Sequence, residues 1–227
     1  MPVMLRPLAV LCVLFNAAFS CDAQPPQVET QKLVLDNEFV RVFDIRVPPG
    51  VSEARHSHAR GVTIALSDYD NETVSYPDGK VKRSHTKFGE VRWAEPVTHE
   101  ARNTGTTEQH VIRVELKKDS PGPAPSRSDP LDSLVVCRDT QKLIFENQFA
   151  RVIEERVPPG VAQPKHRHAH GLLIPLADST IEAVDDPDGR VAQRQLKSGD
   201  AGWREPVVHA VRNIGQTQLL NIRIELR

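Results

Sequence analysis

Residues 37–51 read NEFVRVFDIRVPPGV, and residues 147–161 read NQFARVIEERVPPGV. Working outward at the same offset of 110, residues 34–117 align with 144–227 without a gap, and 38 of 84 positions are identical. HSHARG (56–61) becomes HRHAHG (166–171), PDGKV (77–81) becomes PDGRV (187–191), and GEVRWAEPVTHEARNTG (89–105) becomes GDAGWREPVVHAVRNIG (199–215). Solenoid repeats have periods of roughly 20–50 residues, so a unit this long is domain-sized. The chain therefore divides into a first unit at 31–117, a linker at 118–140 and a second unit at 141–227. KKDSPGPAPSRSDPLDS (117–133) carries four prolines and few apolar residues, which reads as an extended, semi-rigid connection.

Each unit has β character. In Phe39–Val47 β-branched and aromatic residues alternate with charged ones, and Val111–Leu116 alternates in the same way. Val47-Pro48-Pro49-Gly50 is a turn signal, and Pro77-Asp78-Gly79 between Val74 and Val81 is a hairpin signal. Short strands separated by turns, with no helical stripe, predict an all-β sandwich or barrel in each unit. Pro175 stands where the first unit has Ala65, inside an apolar run, and predicts an edge position or a bulge there.

The 227 residues carry 29 Lys+Arg against 30 Asp+Glu, a net charge of −1. Nucleic-acid binding draws on a clustered basic excess, which this balance does not supply. Residues 1–20 read as an export signal: Arg6, an uncharged apolar core from Pro7 to Phe15, then Ala17, Ala18 and Ser20. That core is too short to span a bilayer, which takes about 20 residues, and no other stretch qualifies. The expected location is periplasmic or secreted. Cleavage after Ser20 would expose Cys21, leaving a lipoprotein anchor as the alternative. With Cys12 removed, Cys21 and Cys137 remain, and in an oxidising compartment they could pair.

Six of nine histidines occupy three duplicated positions: His56/His166, His58/His168 and His99/His209. Residues i and i+2 of a strand share a face, so each HxH pair aims two imidazoles together. A third imidazole from an opposing strand would complete a triangle suited to Fe, Mn, Co, Ni, Cu or Zn, with positions left open for water or substrate. An isolated HxH is more often an ordinary polar strand face. Retention of three positions in both copies favours the divalent transition metal.

Gly50-x5-His56-x-His58 followed by Gly89…His99-x3-Asn103 resembles the two signature motifs of the cupin superfamily, and Gly160-x5-His166-x-His168 with Gly199…His209-x3-Asn213 repeats the match. The resemblance covers residues 31–227 and implies a bicupin: two tandem jelly-roll (double-stranded β-helix) barrels, each with a metal site in its mouth. It also implies pairing through the sheets, as a homodimer or, given the duplication, within one chain. Two departures stand out. The usual ligand Glu, four or five residues after the second His, is replaced by Val62/Thr63 and Leu172/Leu173, and Pro96 and Pro206 lie three residues before the third His rather than five. The resemblance then implies a three-histidine site, as some cupin dioxygenases use.

Three neutral imidazoles leave a divalent ion its full charge, which favours small anionic or chelating oxygen ligands. The expected function is a metal-dependent, dioxygenase-like reaction on an enol, diketone or carboxylate. A non-catalytic metal or small-ligand binder and a structural bicupin with inert sites are the alternatives. His170, opposite Arg60, is either a fourth ligand of the second site or a residue of the barrel lip. Glu95/Glu205 are the first candidates for proton transfer, against a turn or ion-pair role. Arg102/Arg212 could hold an anion, Asn103/Asn213 read as turn residues, and Trp93/Trp203 either pack or wall the site. His85 and His110 have no histidine counterparts and read as surface residues.

Overall fold

The computed structural model describes residues 29–118, 122 and 125–227. The expected export signal, Cys12 and Cys21 lie outside these. The first half contains β1 (Gln31–Asp36), β2 (Val40–Val47), β3 (Ser52–His58), β4 (Gly61–Ala65), β5 (Tyr69–Tyr76), β6 (Lys80–Thr86), β7 (Val91–Ala94), β8 (Val97–Asn103) and β9 (Gln109–Leu116). A short helix, α1 (Ser133–Val136), precedes β10 (Gln141–Glu146), β11 (Ala150–Val157), β12 (Ala162–His168), β13 (Gly171–Pro175), β14 (Ser179–Asp185), β15 (Arg190–Leu196), β16 (Gly202–Arg204), β17 (Val207–Asn213) and β18 (Leu219–Leu226). Each half is two antiparallel sheets, ordered β1-β2-β9-β4-β7 and β3-β8-β5-β6 in the first and β10-β11-β18-β13-β16 and β12-β17-β14-β15 in the second.

Strand alternation gives the five-stranded sheets two buried faces. Val42, Val114 and Val62 stand side by side across β2, β9 and β4, and Ile112 pairs with Ile64. All five are fully buried, together with Val152, Leu172, Ile174, Ile222 and Ile224 of the second half, in one apolar cluster shared by both halves. The alternate residues of β9 and β18, Arg113/Arg223 and Glu115/Glu225, point the other way, into their own barrel. The main core thus lies between the halves, and inside each barrel polar groups stand beside a smaller apolar cluster, around Val47 and Val111 in the first and Leu173 and Ile181 in the second.

Close packing dictates several residues. A Cβ on Gly61 would stand 1.8 Å from the Val114 carbonyl oxygen, and Gly171 meets the Ile224 oxygen at the same distance. Gly50 and Gly160, ending the Pro-Pro-Gly turns, have φ of 77° and 78°, which disfavours any Cβ. β13 lies between β18 and β16 and carries no bulge, but its pairing with β16 ends at Leu173, so Pro175 pairs with Asn221 of β18 alone and holds a local edge position. It occupies the last residue of β13, where Ala65 in the first half donates its N–H to Glu90 O at 3.0 Å. Proline has no such donor, and β16 is three residues long where β7 has four.

The segment between the halves is not extended throughout. Arg167 N donates to Leu131 O at 2.7 Å, Asp132 caps α1 by accepting from Leu134 N at 3.0 Å, and Gln163 donates to Thr140 Oγ1 at 3.0 Å. Residues 131–140 therefore lie against β12. Cys137 is buried beside them, and that burial pushes its thiol up to about 12. Among the described residues no helix is long and apolar enough to cross a membrane.

Candidate metal centre

In both halves the HxH strand pairs antiparallel with the strand bearing the third histidine, and His56 faces His99 as His166 faces His209. The register supplies the convergence that spacing alone leaves open. His56 Nε2 lies 3.1 Å from His58 Nε2 and 3.1 Å from His99 Nε2. In the second half His166 Nε2 lies 3.1 Å from His168 Nε2, and the His166 and His209 ring centroids are 4.7 Å apart. The ligand atoms of each trio all fall within 4.8 Å of one another.

The Nδ1 atoms are held from behind. His56 Nδ1 meets Ala54 O at 2.7 Å, and His166 Nδ1 meets Pro164 O at 2.7 Å. His58 Nδ1 and His168 Nδ1 each meet a buried carboxylate, Glu115 Oε1 and Glu225 Oε1, at 2.7 Å. A carbonyl or carboxylate oxygen can only accept, so these four Nδ1 atoms carry the proton and each Nε2 presents a lone pair. Lone pairs facing each other at 3.1 Å repel unless a cation sits between them. Nitrogens bound to one ion at about 2.0–2.1 Å with a near-right angle between them have this separation. His209 Nε2 in addition is buried without a hydrogen-bond partner. The donor set therefore fits a divalent transition metal, with the carboxylate-backed histidine usual behind metal ligands.

Burial favours the neutral form of five of the six rings. Burial, with the other two imidazoles adding to it, pushes His99 down to about 4 and His209 to about 2. Burial also lowers His58 and His166, and it holds His168 well below the usual histidine range. A proton then competes poorly with a metal for these nitrogens. The second centre is the more enclosed: His166 is 0% and His168 3% exposed.

The positions of the missing ligand Glu are apolar or turned away. Val62 and Leu172 point into the core between the halves, and Leu173 packs inside the second barrel. Other carboxylates approach instead. Glu53 of β3 is buried, accepts from Thr30 Oγ1 at 2.8 Å and Gln31 Nε2 at 2.9 Å, and lines with His56 a cavity of about 330 Å³. Gln31 Nε2 also lies 3.1 Å from His56 Nε2. Glu155 of β11, where the first half has Ile45, is buried in the second barrel and accepts from Asn221 Nδ2 at 2.7 Å. Arg113 and Arg223, beside Glu115 and Glu225 on β9 and β18, are each 4% exposed. Arg113 donates to Ala59 O at 2.5 Å but leaves Nε unpartnered; Arg223 leaves both Nε and Nη2 unpartnered.

No protein-family model matches the sequence, and no curated protein matches it. Among solved structures, AerE from Microcystis aeruginosa is similar over 87% of this chain and 97% of its own (TM-score 0.56, 13% identity). A variant of Bacillus subtilis oxalate decarboxylase is similar over 86% of this chain and 71% of its own (TM-score 0.58, 13% identity). The fold is that of a bicupin. A variant of the salicylate 1,2-dioxygenase from Pseudoaminobacter salicylatoxidans shares this bicupin architecture over 82% of this chain and 71% of its own (TM-score 0.52, 10% identity). At such identities the likeness is one of fold.

The other expected residues of the bicupin fall in varied places. His170 stands outside the His166–His168–His209 trio, with Nδ1 3.0 Å from Glu205 Oε2, and it lines a cavity of about 280 Å³ beside His168. Glu95 and Glu205 are exposed on the turns after β7 and β16, where they accept from the Trp93 and Trp203 indole nitrogens at 2.6 and 2.7 Å. Trp93 and Trp203 pack against the opposite half. Arg102 and Arg212 are exposed. Asn103 and Asn213 are fully buried, and each donates to two backbone carbonyls at 2.8 Å across the turn it closes. His85 is exposed beside Asp70. His110 is no surface residue: its side chain is 15% exposed, and Nε2 lies 2.9 Å from Asp44 Oδ1.

Sequence parity missed Glu53, because β3 shifts register against β8 between Glu53 and His56, and the bulge turns both residues inward. Glu155 was missed because it is not duplicated. A carboxylate replacing a buried apolar residue of an otherwise faithful copy was the available signal.

Proposed function

We propose that this bicupin is a metal-dependent enzyme acting on a small anionic or chelating substrate, with dioxygenase-like chemistry on an enol, diketone or carboxylate. The convergence of Nε2 atoms at 3.1 Å carries this reading. His56, His58 and His99 would hold one ion, and His166, His168 and His209 another. A bound divalent ion supplies Lewis acidity and, if redox-active, a way to engage molecular oxygen.

The chain's own residues define what enters. Unpartnered guanidinium nitrogens of Arg113 and Arg223 face a low-dielectric interior, where a ligand carboxylate or enolate would relieve the cost of the buried cation. Glu53 is placed to hold or accept a proton at the edge of the first-barrel cavity, with Thr30 and Gln31 fixing its carboxylate. Glu95 and Glu205 remain proposed proton-transfer residues at the barrel lip. The solved relatives support the substrate class by analogy alone: one Lactobacillus farciminis oxalate decarboxylase is a formate complex, and the Bacillus subtilis enzyme has Mn(II) centres.

The test is oxygen uptake and CO2 release by protein loaded with Fe(II) or Mn(II), using oxalate, salicylate and acetylacetone. Turnover of one of these, reduced in His99→Ala or His209→Ala, is expected. Equal rates in wild type and both variants would overturn the assignment. A second reading, a non-catalytic metal or ligand binder, is favoured for the second barrel by the burial of His166 and His168. Metal retention without turnover would select it. Export of the chain is proposed from residues 1–20, and the N-terminal sequence of the mature protein tests it.

A further inference from the structure

The segment joining the barrels sends one carboxylate into the second. Asp132 Oδ2 lies 2.5 Å from Arg151 Nη1, Arg151 Nε donates to Glu225 Oε2 at 2.7 Å, and Glu225 Oε1 meets His168 Nδ1 at 2.7 Å. All four side chains are 3% exposed or less. Arg151, Glu225 and His168 have counterparts at Arg41, Glu115 and His58, where Arg41 Nη2 donates to Glu115 at 2.9 Å with 44% of its side chain exposed. Asp132 belongs to the residues between the aligned units. The residue at the same offset in the first unit, Asp22, lies outside the described residues.

We propose that Asp132 is a positioning residue that sets the metal affinity of the second centre through Arg151, Glu225 and His168. A guanidinium shared between two carboxylates withdraws less charge from each than one given wholly to Glu225. Glu225 then keeps more negative charge on Oε1 and accepts more strongly from His168 Nδ1–H. A stronger acceptor behind an imidazole raises the basicity of the opposite nitrogen, here the Nε2 that faces the metal point. Its side chain also caps α1, and its backbone forms a β-bridge with Arg167, which lies between His166 and His168 on β12. Docking of the linker and ligand strength thereby meet at one residue. The inference rests on the reading of the trios as metal centres.

The test isolates the second centre with His99→Ala and the first with His209→Ala, and titrates Zn(II) and Co(II) into each full-length protein. Adding Asp132→Asn to the His99→Ala chain is expected to weaken binding about tenfold, the low end of the range for groups directly behind a ligand, since Asp132 acts through Arg151 and Glu225. In the His209→Ala chain it should leave affinity within about threefold. Asp132→Glu, which retains the charge, is expected to recover most of the loss. The His168 Nδ1–H proton resonance of metal-free Asp132→Asn should move upfield, a shift that loosened packing elsewhere would not give. Unchanged Zn(II) affinity in Asp132→Asn would overturn the proposal. So would equal losses in both chains, or a loss in Asp132→Glu as large as in Asp132→Asn. If Asp132→Asn does not fold, Asp132→Ser, which keeps an α1 cap and removes the charge, decides in its place: weakened Zn(II) binding in the His99→Ala chain supports the proposal and unchanged binding overturns it. Failure of either His→Ala chain to bind any metal would remove the metal reading itself, a different result from metal binding that ignores Asp132.

Discussion

Trp93 of the first half stacks on Phe149 of the second, ring centroids 5.6 Å apart and planes 5° from parallel. The offset of 110 residues turns this pair into Phe39 on Trp203, which stack at 5.5 Å and 11°. Each half gives the other what it receives, the signature of an isologous, pseudo-two-fold interface within one chain. Leu176 Cδ1 near Gly89 and Leu66 Cδ1 near Gly199 repeat the exchange. The expected pairing through sheets is met between the two halves of this one chain, with the apolar core as its centre.

A double-mutant cycle follows from that stacking. Trp93→Ala and Phe149→Ala should each destabilise, and their coupling energy by urea denaturation should be about 0.5–1.5 kcal/mol. Trp203→Ala with Phe39→Ala should give a similar coupling, while Trp93→Ala with Phe39→Ala should be closer to additive.

Acid should weaken the metal-free protein through its ligand histidines. Folded His99 titrates near 4 and His209 near 2, against about 6.5 for an unfolded histidine. Between those values the unfolded chain binds more protons than the folded one, so stability is full above pH 6.5 and falls as pH drops below it. Urea midpoints of chelator-treated protein at pH 7.5 and 5 should show this loss, and His99→Ala/His209→Ala should lose less. An equal loss in the variant would exclude these two histidines as its source.

Arg113 and Arg223 should govern anion selection. In protein loaded with Zn(II), Arg223→Gln or Arg113→Gln is expected to weaken oxalate binding at its own centre about tenfold, with two ions per chain retained; isothermal titration reads both. A charge-assisted hydrogen bond contributes roughly 1.5–3 kcal/mol, and tenfold, about 1.4 kcal/mol, corresponds to the low end of that range. Unaltered oxalate affinity would assign the guanidiniums to holding the strands alone.

What the chain discloses before folding depends on whether a residue is repeated. The six histidines were legible because duplication kept them while neighbours drifted, and their register partners, His56 with His99 and His166 with His209, follow from the antiparallel sheet. Trp93 and Trp203 were legible as packing residues, though the partner ring was not. Glu53 was hidden by a bulge that breaks parity, and Asp132 by lying in a proline-rich connection that reads as an extended, semi-rigid linker. Arg113 and Arg223 sat in a cleanly alternating strand. Alternation shows which residues share a face, but not that the face of the charges is itself enclosed in a barrel.

Metal content tests the central claim most directly. Protein purified without chelator, then equilibrated with Mn(II), Zn(II) or Co(II) and dialysed, should hold two ions per chain by elemental analysis. His56→Ala and His166→Ala should each hold one, and the double variant none. A folded wild-type protein that retains no transition metal, or a double variant that retains as much as wild type, would contradict the assignment of the six imidazoles.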